Sequence, residues 1–191
     1  MATTQPIRNK KDIDAISKYY LNLGQLRNYV LFILGVYTAL RVCDLLRLSW
    51  DDVYDFKASR VRMSIDLIEQ KTGKPKRIKL NSAVLKALEL YALESAHQGN
   101  PLIINKKTGN AISRIQAYRL IRAAAEAVDI DERVSCHSLR KTFGYHAWKG
   151  GVSPTIIMDI FNHNSMSTTR RYLGVSQDDK DDVYINLTLA A

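Results

Sequence analysis

An apolar run from Tyr29 to Leu40 constrains the fold of this chain more than any other stretch of its sequence. The run is about a dozen residues long, whereas a helix that crosses a bilayer needs ~20, so it is too short to be a membrane span. A helix that is apolar on nearly every side has to be surrounded by other elements. The run therefore predicts a buried helix over residues 25–40, with the rest of the chain packed around it.

Helix signals recur along the rest of the chain. Asn9 and Asn81 are suitable N-cap residues, and Ser113 with Gln116 forms a capping box. These starts, with Ser153-Pro154 and the stops at Gly24, Gly99, Gly150 and Gly174, predict helices over residues 9–23, 81–98, 113–128, 137–149, 153–163 and 168–172. Ser176 begins a last, acidic helix.

One part of the sequence has the period of a β-strand. Val61, Met63 and Ile65 alternate with polar residues, residues 72–75 form a turn signal, and Ile78 marks a returning strand. The predicted fold is therefore mainly α with a small antiparallel β-sheet, an α+β fold. We expect one domain over residues 1–191, in which residues 1–8 are an irregular lead-in.

The predicted hairpin is strongly basic. It carries Lys71, Lys74, Lys76, Arg77 and Lys79, with no acidic residue among residues 71–79. A basic β-finger suits contact with phosphate groups. Lysines along a strand edge also prevent aggregation between proteins, and the local sequence leaves both interpretations open.

The charge of the whole chain favours an anionic partner. The net charge is +9, and the acidic tail at residues 178–182 carries three net negative charges, so the preceding chain is more basic still. An excess of this kind indicates nucleic acid first and an anionic membrane surface second. A protein that is simply basic is the third interpretation.

Cysteine usage and the first residues indicate a reducing compartment. Cys43 and Cys136 are the two cysteines, and the sequence has no CxxC motif, so we expect no disulfide framework. Residues 1–11 contain no apolar signal core that would direct export. The expected location is the cytoplasm.

Two stretches in the last third of the chain carry imidazole, guanidinium and phenol groups at helical spacing. His137 and Arg140 are three residues apart and therefore share one face of a helix. His163 precedes Tyr172 by nine residues across a helix–turn–helix, a spacing that lets both side chains reach one pocket. The sequence thus predicts a cluster of these four side chains.

Arg41 directly follows the predicted buried helix. A lone buried charge is costly, so its guanidinium needs a partner, and Asp44 is the predicted one. The pair is either an ordinary structural ion pair or a means of orienting Arg41 for function. With Arg41 added, the cluster would surround one anion with two guanidinium and two imidazole groups, an inventory suited to phosphoryl transfer by charge neutralisation.

Tyr172 is the natural nucleophile of such a site. Its hydroxyl has an ordinary pKa of about 10, and neighbouring cations are expected to favour the phenolate. No carboxylate pair and no metal-ligand spacing accompanies the set, so we do not expect a zinc site. Each of these residues taken alone is more often structural, and only the ordered set is specific.

This ordered set resembles the catalytic domain of the tyrosine recombinases, the phage integrase family. The resemblance covers the chain from its first helix to Tyr172. It is carried by Thr38-Ala39-Leu40-Arg41-Val42-Cys43-Asp44-Leu45-Leu46, by Gln70-Lys71-Thr72-Gly73, by His137-Ser138-Leu139-Arg140-Lys141-Thr142-Phe143, and by His163 with Tyr172. The function it implies is a site-specific recombinase or integrase that cuts and rejoins DNA through a 3′-phosphotyrosyl intermediate, with no metal and no cofactor.

The resemblance also implies a role for each side chain. Tyr172 would attack the scissile phosphate, while Arg41 and Arg140 would stabilise its non-bridging oxygens. Lys71 would protonate the leaving 5′ oxygen. The last two roles are proton transfer by His137 and a hydrogen bond to the phosphate from His163, and the DNA is further expected to contact Lys74, Lys76, Arg77 and Lys141.

The sequence departs from the family pattern at several places. Ala39 stands where glycine is frequent, and Asn162 and Asn164 flank the second histidine where glycine and serine are common. Gly174 stands near a position where histidine is common. None of these departures removes a catalytic group, but Asn162 alters how closely the backbone approaches the phosphate.

The expected partners are double-stranded DNA and further copies of the chain. The family implies a homotetramer on paired DNA sites, with a monomer or weak oligomer when free, and no membrane. The tail at residues 175–191 would either pack on a neighbouring subunit or fold on its own domain, and an N-terminal core-binding domain is expected to be absent. Two other functions compete: a type IB topoisomerase-like nicking-closing enzyme and a catalytically silent helical DNA-binding module.

Overall fold

The computed structural model describes residues 4–130, 133–175 and 177–186. The helices are α1 (Lys10–Asn22), α2 (Leu26–Tyr37), α3 (Val42–Leu45), α4 (Trp50–Val53), α5 (Ser82–Ser95), α6 (Arg114–Ala127), α7 (Cys136–Lys149), α8 (Pro154–Ile160), α9 (Met166–Leu173) and α10 (Gln177–Asn186). The strands are β1 (Tyr54–Asp55), β2 (Arg60–Val61), β3 (Ser64–Ile68) and β4 (Pro75–Lys79). The predicted fold class, mainly α with small antiparallel sheets, is confirmed.

Helix α2 is the predicted central helix. It packs against α1, α5 and α7, and most of its side chains are buried. Gly35 allows the close approach of α7, because a Cβ atom there would overlap the side chain of Leu139. The helix ends at Tyr37 and not at Leu40, because Ala39 adopts a φ of 56° that an α-helix cannot continue through.

The strands form two separate antiparallel pairs, β1 with β2 and β3 with β4. The sequence predicted one continuous strand from Val61 onwards, and this prediction is wrong at Arg62 and Met63. The Arg62 backbone N–H donates to Val53, whereas Met63 accepts from Leu80, so the chain changes partner between the two pairs. The hairpin of β3 and β4 carries the predicted basic turn.

Most of the predicted helix starts are confirmed by side-chain caps. Asn9 accepts from Lys11 N, Asn81 accepts from Val84 N, and Ser113 forms its capping box with Gln116. Gly99 was expected to end α5, but the helix ends at Ser95 because Ala96 is extended. Gly99 lies in the following turn, where its N–H donates to Asp51. Ser176, the predicted start of the tail helix, lies outside the described residues.

Residues 4–8 have no regular structure and are packed against α7. The side chain of Ile7 is fully buried, its N–H donates to Thr142 Oγ1 at 2.9 Å, and its carbonyl lies 3.0 Å from His146 Nε2. Arg8 donates to the carbonyl of Gly174 at the end of α9. The segment therefore ties two helices together.

The described part of the tail leaves apolar side chains in solvent. Tyr184 and Ile185 on α10 are 82% and 78% exposed, while Asp179 forms an ion pair with Lys149 of α7 at 2.5 Å. Across the described ranges, none of the helices is long and apolar enough to cross a bilayer.

Candidate active site

Arg41 and Arg140 meet at the carbonyl of Phe161. Arg140 is 1% exposed, and its guanidinium donates to the carbonyls of Ala39 and Phe161, the latter at 2.6 Å. Arg41, the residue before α3, donates from Nη2 to the same Phe161 carbonyl at 3.2 Å. One backbone oxygen thus joins two positively charged groups from distant parts of the chain.

Two unusual backbone conformations occur beside these carbonyls. Ala39 has a φ of 56°, and Asn162, directly after Phe161, has a φ of 49°. Side chains disfavour this left-handed region, and glycine does not. Ala39 and Asn162 are also the two positions where the family pattern has glycine and this sequence does not. The left-handed backbone explains why glycine is favoured at both positions.

Both guanidinium groups keep a buried nitrogen without a hydrogen bond. Arg140 Nε and Arg41 Nη1 have no hydrogen-bond partner in the described part of the chain. Arg41 Nη1 lies 2.9 Å from Glu69 Oε2 as an ion pair. A buried donor that makes no hydrogen bond is costly, so an anion that accepted from these two nitrogens would remove that cost.

Tyr172 on α9 lies between two histidines. Its ring centroid is 4.8 Å from that of His137 on α7 and 4.6 Å from that of His163. The Arg140 guanidinium carbon and the Lys141 ammonium lie 6.0 Å and 5.8 Å from the same ring centroid. The structure therefore brings together the four side chains that the sequence grouped.

The ionisation of Tyr172 is set by two opposing effects. Burial raises the pKa of the Tyr172 hydroxyl above its ordinary value, and this effect outweighs the opposing effect of Arg140 and Arg41. The cations do favour the phenolate, as expected, but their effect is smaller than that of burial. Tyr172 is a neutral phenol at neutral pH, so its proton has to leave during the reaction.

Both histidines are neutral at neutral pH, because the pKa of each is lowered. Burial, reinforced by the positive charges of Lys141 and Arg140, lowers the pKa of His137 to about 4. Burial and the two active-site arginines lower the pKa of His163 to about 4 as well. The ring of His163 is oriented by Thr169, whose Oγ1 lies 3.1 Å from Nδ1. Neutral imidazoles next to a phenol can accept its proton.

The predicted pairing of Arg41 with Asp44 is wrong. Arg41 pairs with Glu69, while Asp44 accepts a hydrogen bond from the backbone N–H of Gln70 at 2.8 Å. Asp44 therefore holds the hairpin turn and not the arginine. Lys71 is the next residue along the chain, and it lies exposed beside Arg41 in a groove whose other charged lining residues are Arg47 and Arg114.

The four further residues expected to contact DNA fall into two groups. Lys74 and Arg77 are exposed. Lys76 lies on the inner face of β4, where its ammonium donates to the carbonyl of Ile160 at 2.6 Å, and Lys141 donates to the carbonyl of Thr4 at 2.6 Å. For Lys76 and Lys141 the structure corrects the expected position, because β4 turns alternate side chains inward and α7 is packed against the lead-in.

Sequence reasoning missed Glu69. Its carboxylate is fully buried among Arg41, Lys76, Thr72 and Asn162. The signal was present, because Ile65 is buried in β3 and a strand repeats its inner face at every second residue. An acidic residue on the inner face of a strand needs cationic partners.

Comparison with known proteins decides the family. The model of the phage integrase family matches residues 9–178. The chain belongs to this family. It is 35% identical over 178 residues to the probable integrase/recombinase YoeC of Bacillus subtilis, a match that covers 93% of each chain. It is 33% identical over 117 residues to the tyrosine recombinase XerC of Pelobacter propionicus, which covers 60% of this chain and 38% of that protein.

Solved structures show the same fold. The XerA recombinase superposes with a TM-score of 0.77 at 21% identity, covering 96% of this chain and 66% of that one. The XerH recombinase bound to its palindromic difH substrate gives a TM-score of 0.75 at 15% identity, covering 97% and 55%. Family membership places the chain among the site-specific tyrosine recombinases and integrases, and it favours neither the topoisomerase nor the silent-module alternative. The chain spans about half or less of the Xer relatives that it matches in sequence.

Proposed function

We propose that this chain cuts and rejoins DNA with Tyr172 as the nucleophile. The hydroxyl oxygen of Tyr172 forms a bond to the scissile phosphorus, and the bond from phosphorus to the 5′ oxygen breaks. The product is a 3′-phosphotyrosyl link and a free 5′ hydroxyl, which can attack the same phosphorus in reverse or that of a partner strand. Because the number of phosphate ester bonds is unchanged, religation requires no external source of energy.

One observation carries this proposal: the guanidinium groups of Arg41 and Arg140 meet at the Phe161 carbonyl near the tyrosine, and each keeps one buried nitrogen without a hydrogen bond to a described residue. Arg41 Nη1 and Arg140 Nε have no hydrogen-bond partner among residues 4–130, 133–175 and 177–186. In the proposal they donate to the non-bridging oxygens of the phosphate and stabilise the charge of the pentacovalent transition state. Donors that are already in place before the reaction stabilise a transition state without a cost of reorganisation.

The proton balance uses three further side chains. The phenol proton of Tyr172 passes to the neutral imidazole of His137, whose ring is in edge contact with the tyrosine ring. Lys71 gives a proton to the leaving 5′ oxygen, and His163 donates a hydrogen bond to the phosphate. The phosphate dianion of the transition state raises the pKa of both imidazoles, because an adjacent negative charge favours the protonated form.

The proposed partners are double-stranded DNA and three further copies of the chain. Lys74 and Arg77, both exposed on the hairpin, are proposed phosphate contacts. The exposed Tyr184 and Ile185 of α10 support a tail that packs on a neighbouring subunit in a homotetramer on paired sites. The described residues include no group of three or more histidine, cysteine or acidic side chains that could hold a metal ion, and the proposed reaction uses none.

A nicked duplex tests the proposal. Cleavage next to the nick releases a short fragment, so the covalent protein–DNA adduct accumulates and can be counted on a denaturing gel. Duplexes tiled across the DNA that flanks the gene serve as substrates. We expect an adduct with the wild-type chain, in the presence of EDTA as well, and none with Tyr172→Phe.

Tyr118→Phe is the matched control, since Tyr118 lies on α6 and its hydroxyl accepts from Arg122. This variant should form the wild-type amount of adduct. The absence of a wild-type adduct on every duplex refutes the proposal, and an undiminished adduct with Tyr172→Phe shows that another residue is the nucleophile. Loss of the adduct in EDTA refutes only the metal-independent form of the reaction.

A further inference from the structure

Glu69 is a buried carboxylate for which the proposed reaction has no role. It follows β3 directly, and its side chain is 0% exposed. Its oxygens lie 2.9 Å from Arg41 Nη1 and 3.5 Å from Lys76 Nζ, and they accept hydrogen bonds from Thr72 at 2.9 Å and Asn162 at 2.7 Å. A carboxylate with four such partners is held in a single position.

These partners come from three separate segments of the active site. Arg41 is the residue before α3, Thr72 and Lys76 belong to the hairpin that carries Lys71, and Asn162 immediately precedes His163. Glu69 therefore contacts the arginine, the hairpin and the histidine turn at the same time. Removal of its charge would leave buried cations without their partner, which is costly in a protein interior.

Glu69 stays ionised in the functional pH range. Burial favours the neutral acid, but hydrogen bonds from Asn162 and Thr72, together with the adjacent positive charges of Arg41 and Lys76, outweigh it and lower the pKa of Glu69 to about 2. The carboxylate is thus a permanent negative charge within a cationic cluster. It balances part of the repulsion among the cations while no DNA is bound.

The contacts of Arg41 show that Glu69 orients its guanidinium group as well as balancing its charge. Its Nη2 donates to the Phe161 carbonyl, and its Nη1 lies against Glu69, so the guanidinium is held at both ends. Nη1 carries two hydrogens and makes no hydrogen bond to a described residue, so in the proposal a phosphate oxygen accepts one of them while Glu69 keeps its ion pair. A group that is already oriented loses less entropy when it binds the transition state.

We propose that Glu69 is a positioning residue for strand cleavage, which acts by holding Arg41 in the orientation that receives the scissile phosphate. The proposal rests on the proposed function of the chain, because the phosphate is the ligand that Arg41 is oriented to receive. Glu69 itself touches no substrate atom. Its effect should therefore appear in the rate of cleavage and not in the affinity for DNA.

The first experiment measures single-turnover cleavage of the nicked duplex at saturating DNA. Glu69→Gln keeps the shape of the side chain but removes its charge, and we expect a rate about 100-fold lower, the loss typical of a small displacement of a reacting group. Glu69→Asp keeps the charge and should lose about tenfold. The matched control is Asp66→Asn, an exposed carboxylate of the same hairpin, which should cleave at the wild-type rate.

DNA affinity and the melting temperature separate positioning from a merely structural role. Both Glu69 variants should bind DNA within about threefold of the wild type, measured below their melting temperatures. A wild-type cleavage rate in Glu69→Gln overturns the proposal, as do equal losses of binding and cleavage. If Glu69→Gln does not fold, Glu69→Asp decides by the same criteria.

A sulfur leaving group shows which side chain Glu69 acts through. A 5′-bridging phosphorothioate expels a thiolate, which needs no proton, so the slow cleavage of Lys71→Ala should be restored on this substrate. Glu69→Gln should remain slow on it, because Arg41 is still displaced. Restoration of Glu69→Gln would show that Glu69 acts through the Lys71 turn and would overturn the assignment to Arg41.

Amide hydrogen exchange tests the coupling in the free protein, without DNA. Glu69→Gln should exchange faster at residues 69–74 and 161–163 together, whereas Asp66→Asn should change neither segment. Hydrogen exchange does not depend on cleavage. If the wild type formed no adduct with DNA, the proposed function would be refuted, but the coupling measured by hydrogen exchange would not. Unchanged exchange in both segments would refute the coupling by Glu69.

Discussion

The substitution Asn162→Gly has two opposing effects on stability, because it relieves backbone strain and removes a buried hydrogen bond. The φ of Asn162 is 49°, a conformation that costs an ordinary residue about 1–2 kcal/mol and asparagine the lower end of that range. Glycine would recover up to about 1 kcal/mol of this strain. It would also lose ~0.5–1 kcal/mol, because it gives the unfolded chain more freedom, so the two backbone effects nearly cancel.

The lost hydrogen bond then decides the sign. Asn162 Nδ2 donates to the carboxylate of Glu69 at 2.7 Å, and a hydrogen bond to a charged group contributes about 1.5–3 kcal/mol. We therefore expect Asn162→Gly to lower the free energy of unfolding by about 1.5–3 kcal/mol in urea denaturation, although the family pattern has glycine here. The matched control is Asn164→Gly in the same turn, where the side chain is exposed and the loss should stay below about 1 kcal/mol.

A double-mutant cycle with Glu69→Gln checks the cause. If the Asn162 side chain stabilises the fold through the charge of Glu69, the two losses should differ from additivity by about 1 kcal/mol or more. Additive losses within ~0.5 kcal/mol would refute this account of the contact. An Asn162→Gly variant more stable than the wild type would show that strain, and not the hydrogen bond, dominates at this position.

Two further predictions concern pH and the lead-in. The pKa of His163 is lowered to about 4 in the fold from an ordinary value of 6.5, so the stability that this imidazole contributes is complete above pH 6.5 and is lost as the pH falls towards 4. Urea denaturation at several pH values should show that the free energy of unfolding of His163→Gln falls less with pH than that of the wild type. His97→Gln, which changes a surface histidine, should fall as much as the wild type, and identical pH profiles for all three proteins would contradict the prediction. Ile7→Ala should lower the free energy of unfolding by about 2–5 kcal/mol, because Ile7 is fully buried, and a loss under about 1 kcal/mol would show that the lead-in does not stabilise α7.

Local patterns were sufficient for the helices and for the grouping of the side chains. The apolar run at residues 29–40 had to lie at the centre, and most of the caps were readable from single residues. The spacing of His163 and Tyr172 was a local property as well, and their rings meet at 4.6 Å. Helix geometry relates residues that are close in sequence, so short-range patterns carry this information.

Contacts between distant segments were not readable in the same way. The partner of Arg41 was predicted one helical turn away at Asp44 but is Glu69 on the hairpin. Lys76 was expected at a DNA-facing surface and instead donates to the carbonyl of Ile160. A charged residue takes the partner that the packing of whole elements brings to it, and a short sequence window contains no record of that packing.

The sequence by itself determined the family, the fold class and the set of side chains around Tyr172, because these follow from residue types and their order. Only the tertiary structure decided how that set is held. It placed the Phe161 carbonyl between two guanidinium groups, put the Glu69 carboxylate against Arg41, and left Tyr172 a neutral phenol, since burial outweighs the nearby positive charges. Each of these results depends on distance and burial, which arise when segments far apart in the chain pack together.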